Sequence, residues 1–533
     1  MSAGDWRSRS EEAVRVCAGD DGRLNRRSAE SGRWLVWAAR NDRGSGQRGG
    51  DDCGPSPLPC SASRAHPLFP LRQPETMKRG GLHLLPLGGT GEIGMNLNAY
   101  HYMGQWLVVD CGVMFARKGP RHTEILFPDI QFLAARAETV RGIVITHIHQ
   151  DHLGAVVDLW PLLRCPVYCT RFAAEFLKPA LKEAGLGRDV PIKVIEETGR
   201  FKVGPFDLQR IPFTHSTVEM GGLVLRTPAA KVLHTGDWKL DPDPLVGLRT
   251  DERALDALRN EVIHACVSDS TNAHLDGWTP SESDLVAPLV KLVGQQSHRV
   301  AVTLFSSNVA RVHTLARVAH ETGRQLVLVG RSLRRTVEAA QAAGYLDQMP
   351  AVIPPRDFGF IPRRSVLMVC TGSQGEPRAA LTRIAEDRLR DMYLEQGDTV
   401  IYSARRIPGC ELPIDRVQRL LRERGIRIVE ATDAKVHVSG HPRRDELRDL
   451  YERVQPRCVV PVHGTPMHLE AHAELAESMG LSSARIRNGH ILRIDRECSV
   501  VGEAPIGRKR RIEGSSNERS RGSRRPRRSR RFW

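Results

Sequence analysis

The sequence of 533 residues lacks the features that would place a protein in a membrane or outside the cell. No apolar run approaches the roughly 18 residues that a transmembrane helix needs, and the first residues mix arginines with acids where a secretory signal has an apolar core. The eleven cysteines include no CxxC pair and suggest no disulfide framework. These absences predict a soluble, cytoplasmic, globular protein without a membrane partner.

Lysine is absent from residues 1–76, which carry twelve arginines and ten acids and show no hydrophobic periodicity. We predict that these residues form a disordered extension. Residues 501–533 are predicted to be a second disordered tail, because residues 508–533 hold twelve Lys and Arg against two acids. The two segments are either genuine, with the tail acting as an RNA-binding arm, or the products of a misread reading frame.

The formal net charge of +16 is concentrated at the ends of the chain. Residues 508–533 hold +10 and residues 1–76 hold +2, which leaves +4 for the 431 residues between them. Because that body is nearly neutral, any polyanion that it binds must be held by a local cleft. The tail would add a salt-sensitive affinity for RNA that does not depend on the RNA sequence.

Between the two ends, short apolar runs alternate with amphipathic stretches, and this alternation predicts an α/β fold. The runs that predict strands are HLLPL, WLVVD, GIVIT, PVYCT, LVLRT, KVLHT, RVAVTL, QLVLVG, SVLMVC, TVIYS and CVVPVH. The stretches that predict helices are ALRNEVIHA, HTLARVAHE, RRTVEAAQAA, PIDRVQRLLRERG and MHLEAHAELAESMG. Polar residues follow many of these strands, where a rigid sheet would hold them in fixed positions.

The segment GGTGEIG contains Gly89, Gly91 and Gly94 in the GxGxxG spacing of a dinucleotide-binding loop. That loop requires a helix directly after it, whereas the residues that follow, MNLNAYHYMGQWLVVD, predict another strand. We therefore predict a tight turn between two strands and no nucleotide cofactor.

The segment THIHQDHLG follows the apolar run GIVI and places three histidines and an aspartate within six positions. His147 and His149, two residues apart on extended backbone, can point at one ion, and Asp151 and His152 can reach a second ion beside it. Burying these groups without a metal would leave them desolvated and unpaired, so the segment predicts a metal site.

Further candidate ligands follow other apolar runs. They are His215 in PFTHST, Asp237 in LHTGDWK and His463 in VVPVHGT. Asp237 is the natural bridge between two ions, because a carboxylate can offer one oxygen to each. Asp110 in LVVDCG is better placed to accept a hydrogen bond from a ligand histidine and so orient it.

The ordered set of Asp110, HIHQDH, His215 and Asp237 resembles the metallo-β-lactamase fold, an αββα sandwich with a two-metal site at its edge. Downstream motifs resemble the β-CASP nuclease branch and, within it, the bacterial ribonuclease J family. These motifs are VSDSTNAHLDGWTPSESD, FSSNVARVH, LVGRSL, CTGSQGEP, SARRIPGCE, KVHVSGH and VPVHGTPMHLEAHAELA. The resemblance extends from about residue 80 to about residue 500.

The resemblance implies an α/β architecture in which a β-CASP α/β domain interrupts the metallo-β-lactamase sandwich. The first part of the sandwich would occupy residues 77–273, and the β-CASP domain residues 274–432. The second part of the sandwich would occupy residues 433–500. RNA would thread between the two domains.

The resemblance also implies two metal sites that share one carboxylate. One set of ligands would be His147, His149, His215 and Asp237. The other would be Asp151, His152, Asp237 and His463. The cofactors are expected to be two divalent ions, first of all zinc, with manganese or magnesium as alternatives.

Residues around the metals receive roles from the same resemblance. The catalytic residues would be Asp151, Asp237 and His441. His441 would contact the scissile phosphate and assist the leaving group. The residues that contact RNA phosphate would be Ser403, Arg405, His437, Ser439 and His441. Asp110 and Asp269 would support the site without binding a metal.

The implied function is a metal-dependent ribonuclease with 5′-to-3′ exonuclease and endonuclease action in rRNA processing and mRNA decay. Its preferred partner would be single-stranded RNA with a 5′-monophosphate. Two alternatives are a β-CASP nuclease that acts on DNA and a non-catalytic RNA-binding scaffold. Family members are usually homo-oligomers that use a small C-terminal α/β domain, whereas this chain turns into the basic tail, so we expect it to be more monomeric. Because no expected ligand lies beyond His463, we expect removal of residues 508–533 to leave metal content nearly unchanged.

Overall fold

The computed structural model describes residue 77 and residues 80–117 and 123–511. The predicted disorder of residues 1–76 and of most of the basic tail, residues 512–533, lies outside these residues. Among the described helices, none has the length and apolar character needed to cross a membrane.

The described strands alternate with helices along most of the chain. In chain order the strands are β1 (Leu82–Gly88), β2 (Leu97–Tyr102), β3 (Gln105–Val109), β4 (Met114–Arg117), β5 (Thr123–Pro128), β6 (Val140–Val144), β7 (Val167–Cys169), β8 (Ile192–Val194), β9 (Gly199–Val203), β10 (Phe206–Pro212), β11 (Gly221–Arg226), β12 (Lys231–His234), β13 (Ala265–Asp269), β14 (Val300–Thr303), β15 (Gln325–Val329), β16 (Val366–Cys370), β17 (Thr399–Tyr402), β18 (Arg427–Val429), β19 (Cys458–Val462), β20 (Ser482–Ser483), β21 (His490–Ile494), β22 (Ser499–Glu503) and β23 (Arg508–Arg510).

The described α-helices are α1 (Gln131–Ala134), α2 (Gln150–Leu153), α3 (Val156–Leu163), α4 (Arg171–Glu183), α5 (Glu252–Leu258), α6 (Val286–Gly294), α7 (Val309–Glu321), α8 (Arg331–Ala342), α9 (Ala380–Ala385), α10 (Glu411–Glu423), α11 (Arg444–Val454) and α12 (Pro466–Ser478). Short 3-10 helices span Ala137–Thr139, Ser283–Leu285, Pro355–Phe360 and Arg363–Ser365.

Two large sheets pack face to face. The first has the strand order β22-β21-β1-β2-β3-β6-β7-β8, and the second has the order β20-β19-β13-β12-β11-β10-β9. Their facing side chains form one apolar core, to which the first sheet contributes Leu84, Tyr100 and Val144 and the second contributes Leu208, Leu223, Val267 and Val460. Burial of both inner faces is what holds the two sheets together.

Helices cover the outer face of each sheet. Helices α3 and α4 pack against the first sheet, where Leu159 and Phe172 join the apolar cluster of Ile143. Helices α5, α11 and α12 cover the second sheet, where Leu447 and Leu475 belong to the same cluster as strand residues. The order helix, sheet, sheet, helix confirms the predicted αββα sandwich.

A separate α/β layer is inserted between β13 and β19. Its sheet has the order β15-β16-β14-β17-β18, and every pair in it is parallel. Helices α6, α7 and α8 cover one face of this sheet and α9 and α10 cover the other. Burial on both faces explains why its strands read as uninterrupted apolar runs such as VLMVC.

The eleven apolar runs that predict strands all form strands. The predicted helix ALRNEVIHA is wrong, because α5 ends at Leu258 and Ala265 already begins β13. Strand β13 pairs with β12 on one side and β19 on the other, and all of its residues are buried. The helix therefore ends early, and residues 259–264 form the turn and loop that lead into this buried central strand.

The glycine-rich segment forms the predicted tight turn. Gly89, Gly91 and Gly94 have φ angles of 86°, 91° and 100°, a region that favours glycine. The turn joins β1 to β2, which pair antiparallel, so a strand follows it and not the helix of a dinucleotide-binding loop.

The predicted disordered tail begins too early. Strand β22 spans Ser499–Glu503 and pairs with β21, and β23 spans Arg508–Arg510 and pairs with β5. Strands β23, β5 and β4 form a separate three-stranded sheet in that order. The prediction failed for residues 501–511 because composition alone does not show that these residues have partners elsewhere in the chain.

Candidate metal centre

The ends of four strands supply the polar side chains of the site. Strand β6 ends at Val144 and leads to His147, and β10 ends at Pro212 and leads to His215. Strand β12 ends at His234 and leads to Asp237, and β19 ends at Val462 and leads directly to His463. The rigid strands therefore deliver distant parts of the sequence to one edge of the sandwich.

The first predicted ligand set comes together in the structure. One ligand atom from each of His147, His149, His215 and Asp237 lies within 4.8 Å of the others. His215 Nε2 is 3.1 Å from His149 Nδ1, and His147 Nε2 is 3.9 Å from Asp237 Oδ2. Three imidazoles and a carboxylate at these distances are a suitable donor set for a divalent transition metal.

The second predicted set lies directly beside the first. Asp151, His152, Asp237 and His463 also offer atoms that lie within 4.8 Å of one another. His152 Nε2 is 3.1 Å from Asp237 Oδ2, and His463 Nε2 is 3.2 Å from Asp151 Oδ2. Asp237 belongs to both sets, as expected for a bridging carboxylate.

Two buried atoms in this cluster have no hydrogen-bond partner, and this observation tests whether the residues fit a metal. They are Nε2 of His147 and Oδ1 of Asp237, on side chains that are almost completely buried. Unpaired polar atoms in a protein interior are costly unless a ligand satisfies them. The cluster therefore fits divalent metal ions, which would occupy the space between these atoms.

The protonation states of the first set also suit metal binding. Burial lowers the pKa of His149 to about 4 and holds the pKa values of His147 and His215 well below their usual range. Burial alone would raise the pKa of Asp237, but the neighbouring His152 and His463 lower it to about 2. At neutral pH these groups are thus three neutral imidazoles and one carboxylate, which are the forms that bind metals.

Asp110 lies where it can orient one of the ligands. It follows β3 with a φ of 65°, and its Oδ2 accepts a hydrogen bond of 2.7 Å from His152 Nδ1. Its Oδ1 accepts from the backbone N–H of Thr146, one residue before His147. With Nδ1 donating to Asp110, the Nε2 of His152 faces the cluster.

Asp269, at the end of β13, contacts two histidines. Its Oδ2 accepts a hydrogen bond of 2.7 Å from His441 Nδ1, and its Oδ1 lies 3.2 Å from His463 Nδ1. Burial alone would lower the pKa of His441, but the charge of Asp269 and its hydrogen bond raise it above its usual value. His441 Nδ1 is 3.9 Å from Asp237 Oδ2, so a partly exposed imidazole whose protonated form is favoured by Asp269 adjoins the metal cluster.

The predicted phosphate-binding residues do not all face open space. Ser403 is 1% exposed, and its hydroxyl donates to the Val436 carbonyl and accepts from Arg311. It therefore supports its loop and offers no free hydroxyl to a phosphate, which corrects the prediction for this residue. Arg405 is exposed, and the side chains of His437 and Ser439 are partly exposed.

Asn272 is a site residue that the sequence analysis did not identify. It is completely buried, accepts a hydrogen bond from Arg405 and donates to the Ser439 hydroxyl and to the His441 carbonyl. Its position three residues after Asp269, in the motif SDSTN, was the available signal.

Asn96 is a second missed residue and belongs to the metal cluster. Its amide donates to Asp151 Oδ2 at 3.3 Å and lies 3.0 Å from His152 Nε2. It sits two residues after Gly94, at the end of the glycine-rich turn. That turn thus contributes a residue to the candidate metal centre.

Three known sequence families match consecutive parts of the chain. The metallo-β-lactamase superfamily matches residues 99–262, and the β-CASP domain of ribonuclease J matches residues 297–421. The RNA specificity domain of zinc-dependent metallo-hydrolases matches residues 425–486.

Curated proteins named ribonuclease J are similar to the chain over most of its length. The protein from Sinorhizobium meliloti is 43% identical over 433 residues, which cover 80% of this chain and 77% of that protein. The protein from Thermus thermophilus is 33% identical and covers 81% of this chain and 78% of its own length. The protein from Corynebacterium glutamicum is 35% identical over 82% of this chain, and the match spans 61% of that longer protein.

A solved structure supports the fold. The crystal structure of a protein of unknown function from Enterococcus faecalis V583 superposes with a TM-score of 0.54 at 16% identity. The match covers 78% of this chain and all of that chain.

Proposed function

This chain belongs to the ribonuclease J family, and from that premise we propose that it is a metal-dependent ribonuclease that hydrolyses RNA from the 5′ end and also within the strand. The observation that carries the proposal is the pair of ligand sets that share Asp237. We propose zinc as the first candidate for the metal, with manganese and magnesium as alternatives. RNA maturation and decay in the cytoplasm is the setting that we propose for the activity.

When two divalent ions are bound, they supply a water with a lowered pKa and neutralise charge on the attacked phosphodiester. His147, His149 and His215 would hold one ion and Asp151, His152 and His463 the other, with Asp237 shared. The chain's own contribution is the fixed orientation of these ligands. Asp110 and Asn96 keep the second set in place through the hydrogen bonds described above.

His441 is suited to donate a proton to the departing oxygen of the RNA. Asp269 fixes its ring through Nδ1 and favours the protonated form, so that Nε2–H is available as the donor. The Thr279 hydroxyl and the Asn272 amide also hold the His441 carbonyl. Ring and backbone are therefore both fixed before substrate binds.

We propose that Arg405, His437 and Ser439 bind a 5′-monophosphate. A guanidinium, a hydroxyl and an imidazole together match the oxygens of a phosphate. Burial, with smaller contributions from the nearby cations Arg311 and Arg405, lowers the pKa of His437 to about 3, so its neutral imidazole would bind phosphate as a hydrogen-bond donor. Asn272 joins Arg405 to Ser439 by hydrogen bonds and so keeps this group together.

The test is a cleavage assay on RNA labelled at its 3′ end, with either a 5′-monophosphate or a 5′-triphosphate. The full chain is freed of metal and reloaded with zinc, manganese or magnesium, and a DNA strand of the same sequence is the control. We expect rapid cleavage of monophosphate RNA and little cleavage of DNA. Equal cleavage of both strands would favour a DNA nuclease. RNA binding without cleavage under any metal would favour a binding scaffold.

A further inference from the structure

The basic residues at 508–511 are attached to the metallo-β-lactamase domain as an added strand. Strand β23 pairs antiparallel with β5, with Arg508 opposite Pro128 and Arg510 opposite Leu126. Two backbone hydrogen bonds of 2.9 Å extend this pairing, from Asp129 N–H to the Gly507 carbonyl and from Arg511 N–H to the Ile125 carbonyl. We call residues 507–511 the C-terminal strap.

Each of the four basic side chains in the C-terminal strap pairs with a different acid. The pairs are Arg508–Glu92, Lys509–Asp129, Arg510–Glu124 and Arg511–Asp158. In each pair the acid is more buried than its basic partner. For example, the Glu124 side chain is 7% exposed, whereas that of Arg510 is 56% exposed. The strap therefore neutralises carboxylates that have little access to water.

The acids at the two ends of the strap lie next to segments that carry candidate metal ligands. Glu92 lies in the glycine-rich turn, and Thr90 and Glu92 form backbone bridges with Gly464, the residue after His463. At the other end, Arg511 contacts Asp158 and also donates a hydrogen bond of 2.6 Å to the Gly154 carbonyl.

Gly154 directly follows helix α2, which contains Asp151 and His152. The backbone of this helix is tied to the metal-site loops, because Asn96 N–H donates to the Asp151 carbonyl and Cys111 N–H donates to the His152 carbonyl. A contact at Gly154 is thus one residue beyond the helix that supplies half of the second ligand set.

We propose that the C-terminal strap positions the second metal site and that Arg511 is its principal positioning residue. The strap holds α2 at one end and the turn beside His463 at the other, so that Asp151, His152 and His463 keep the spacing that one ion requires. This inference rests on the proposed metal-dependent function. It assigns a role to residues that were expected to be dispensable because no ligand lies among them.

Arginine is required at 511 for a geometric reason. The planar guanidinium donates through Nε and Nη2 to Asp158 and through Nη2 to the Gly154 carbonyl as well. A lysine ammonium would keep the charge near Asp158, but it lacks the rigid fork that reaches both acceptors. The other three pairs are exposed on their basic side and should matter mainly by keeping the strand in place.

The first experiment compares two truncations of the chain, one without residues 512–533 and one without residues 508–533. Each is titrated with Zn²⁺ in competition with a chromogenic chelator, and bound metal is counted after dialysis. We expect the shorter deletion to bind two ions like the full chain. The longer deletion should bind its second ion about tenfold or more weakly, as is usual when groups that orient ligands are removed. Equal second-ion affinity in both truncations would overturn the proposal.

Point variants test whether the effect comes from positioning and not from loss of fold. Arg511→Ala should lower the Zn²⁺ affinity of the second site about tenfold. The affinity of Arg511→Lys should lie between that of Arg511→Ala and that of the unchanged chain. Arg493→Ala is the control, because Arg493 also pairs with a carboxylate, that of Asp495 at 2.7 Å, but on strand β21. The absorption spectrum of bound Co²⁺ should change in Arg511→Ala and stay unchanged in Arg493→Ala. An unchanged spectrum and Zn²⁺ affinity in Arg511→Ala would refute the role of Arg511.

The design separates this proposal from the proposed function. If the full chain binds two ions and cleaves RNA, while both truncations do the same, the strap has no positioning role and the function stands. If the full chain binds no metal or cleaves no RNA, the proposed function itself fails. The difference in second-ion affinity between the two truncations should also shrink as the salt concentration is raised, because salt screens exposed ion pairs.

Discussion

A buried ion pair beneath the loops of Arg405 and His437, which we propose to bind phosphate, gives the most quantitative prediction. Arg311 on α7 is completely buried, and its Nε and Nη2 donate to the two carboxylate oxygens of Glu282 at 2.6 and 3.0 Å. Its Nη1 donates to the carbonyl and hydroxyl of Ser403 and to the Val436 carbonyl. One guanidinium therefore joins the loop of Arg405 to the loop of His437.

Replacing Arg311 by methionine should destabilise the protein by about 3–5 kcal/mol, the usual cost of leaving one partner of a buried pair unpaired. Glu282 is 5% exposed, and the Thr314 hydroxyl, which would remain as a donor to its carboxylate, cannot neutralise the charge. Replacing both partners, in Arg311→Met with Glu282→Gln, should cost clearly less than the sum of the two single changes. Urea-induced unfolding followed by circular dichroism measures these differences.

Arg317→Met is the matched control on the same helix. Arg317 is largely exposed and pairs with Glu321 at 3.3 Å, so its replacement should cost less than about 1 kcal/mol. Arg311→Met should also reduce the preference for a 5′-monophosphate, because the carbonyls on either side of His437 lose their donor. Equal unfolding energies for Arg311→Met and Arg317→Met, or additive effects in the double variant, would refute the reasoning.

Four further predictions concern the site and the tail. Asp237→Ala should abolish cleavage and bound metal while circular dichroism stays unchanged, and activity in this variant would contradict the bridging role. His441→Ala should lower kcat by roughly 10² or more with metal content retained, the range for removal of a general acid. Arg405→Ala should reduce the ratio of cleavage rates for monophosphate over triphosphate RNA, and an unchanged ratio would remove Arg405 from the pocket. Deleting residues 512–533, which hold eight Arg, should flatten the salt dependence of RNA binding, by about 0.7 in log–log slope for each phosphate that the tail neutralises.

The residues of the two candidate ligand sets could be identified from the sequence because their signal is local. His147, His149, Asp151 and His152 lie within six positions after a strand that its apolar run identifies. His215, Asp237 and His463 each follow another such run, and strand ends are where a sheet fixes polar groups. The alternation of apolar runs and amphipathic stretches predicted an α/β fold, and the resemblance of the motifs to a known family supplied the sandwich and its insertion.

Hydrogen-bond partners that are distant in the sequence could not be predicted in this way. The amide of Asn272 joins Arg405, 133 residues away, to Ser439, 167 residues away. Ser403 fits a phosphate-binding motif, but its hydroxyl is engaged by Arg311, whose position beneath the loop no local pattern indicates. The strap shows the same limit, since Arg510 pairs with Glu124, which is 386 residues away.

Two residues of a single turn hold His441 between the metal cluster and the side chains of Arg405 and Ser439. Asp269 holds its ring beside the metal cluster, and Asn272 holds its carbonyl while bonding to Arg405 and Ser439. Only three positions separate Asp269 from Asn272, so the distance between the proton donor and the phosphate-binding group is built into one short segment. A phosphate bound at Arg405 would therefore lie at a fixed distance from His441. If the proposed 5′-to-3′ activity is correct, that fixed distance would set the register in which nucleotides are released from the 5′ end.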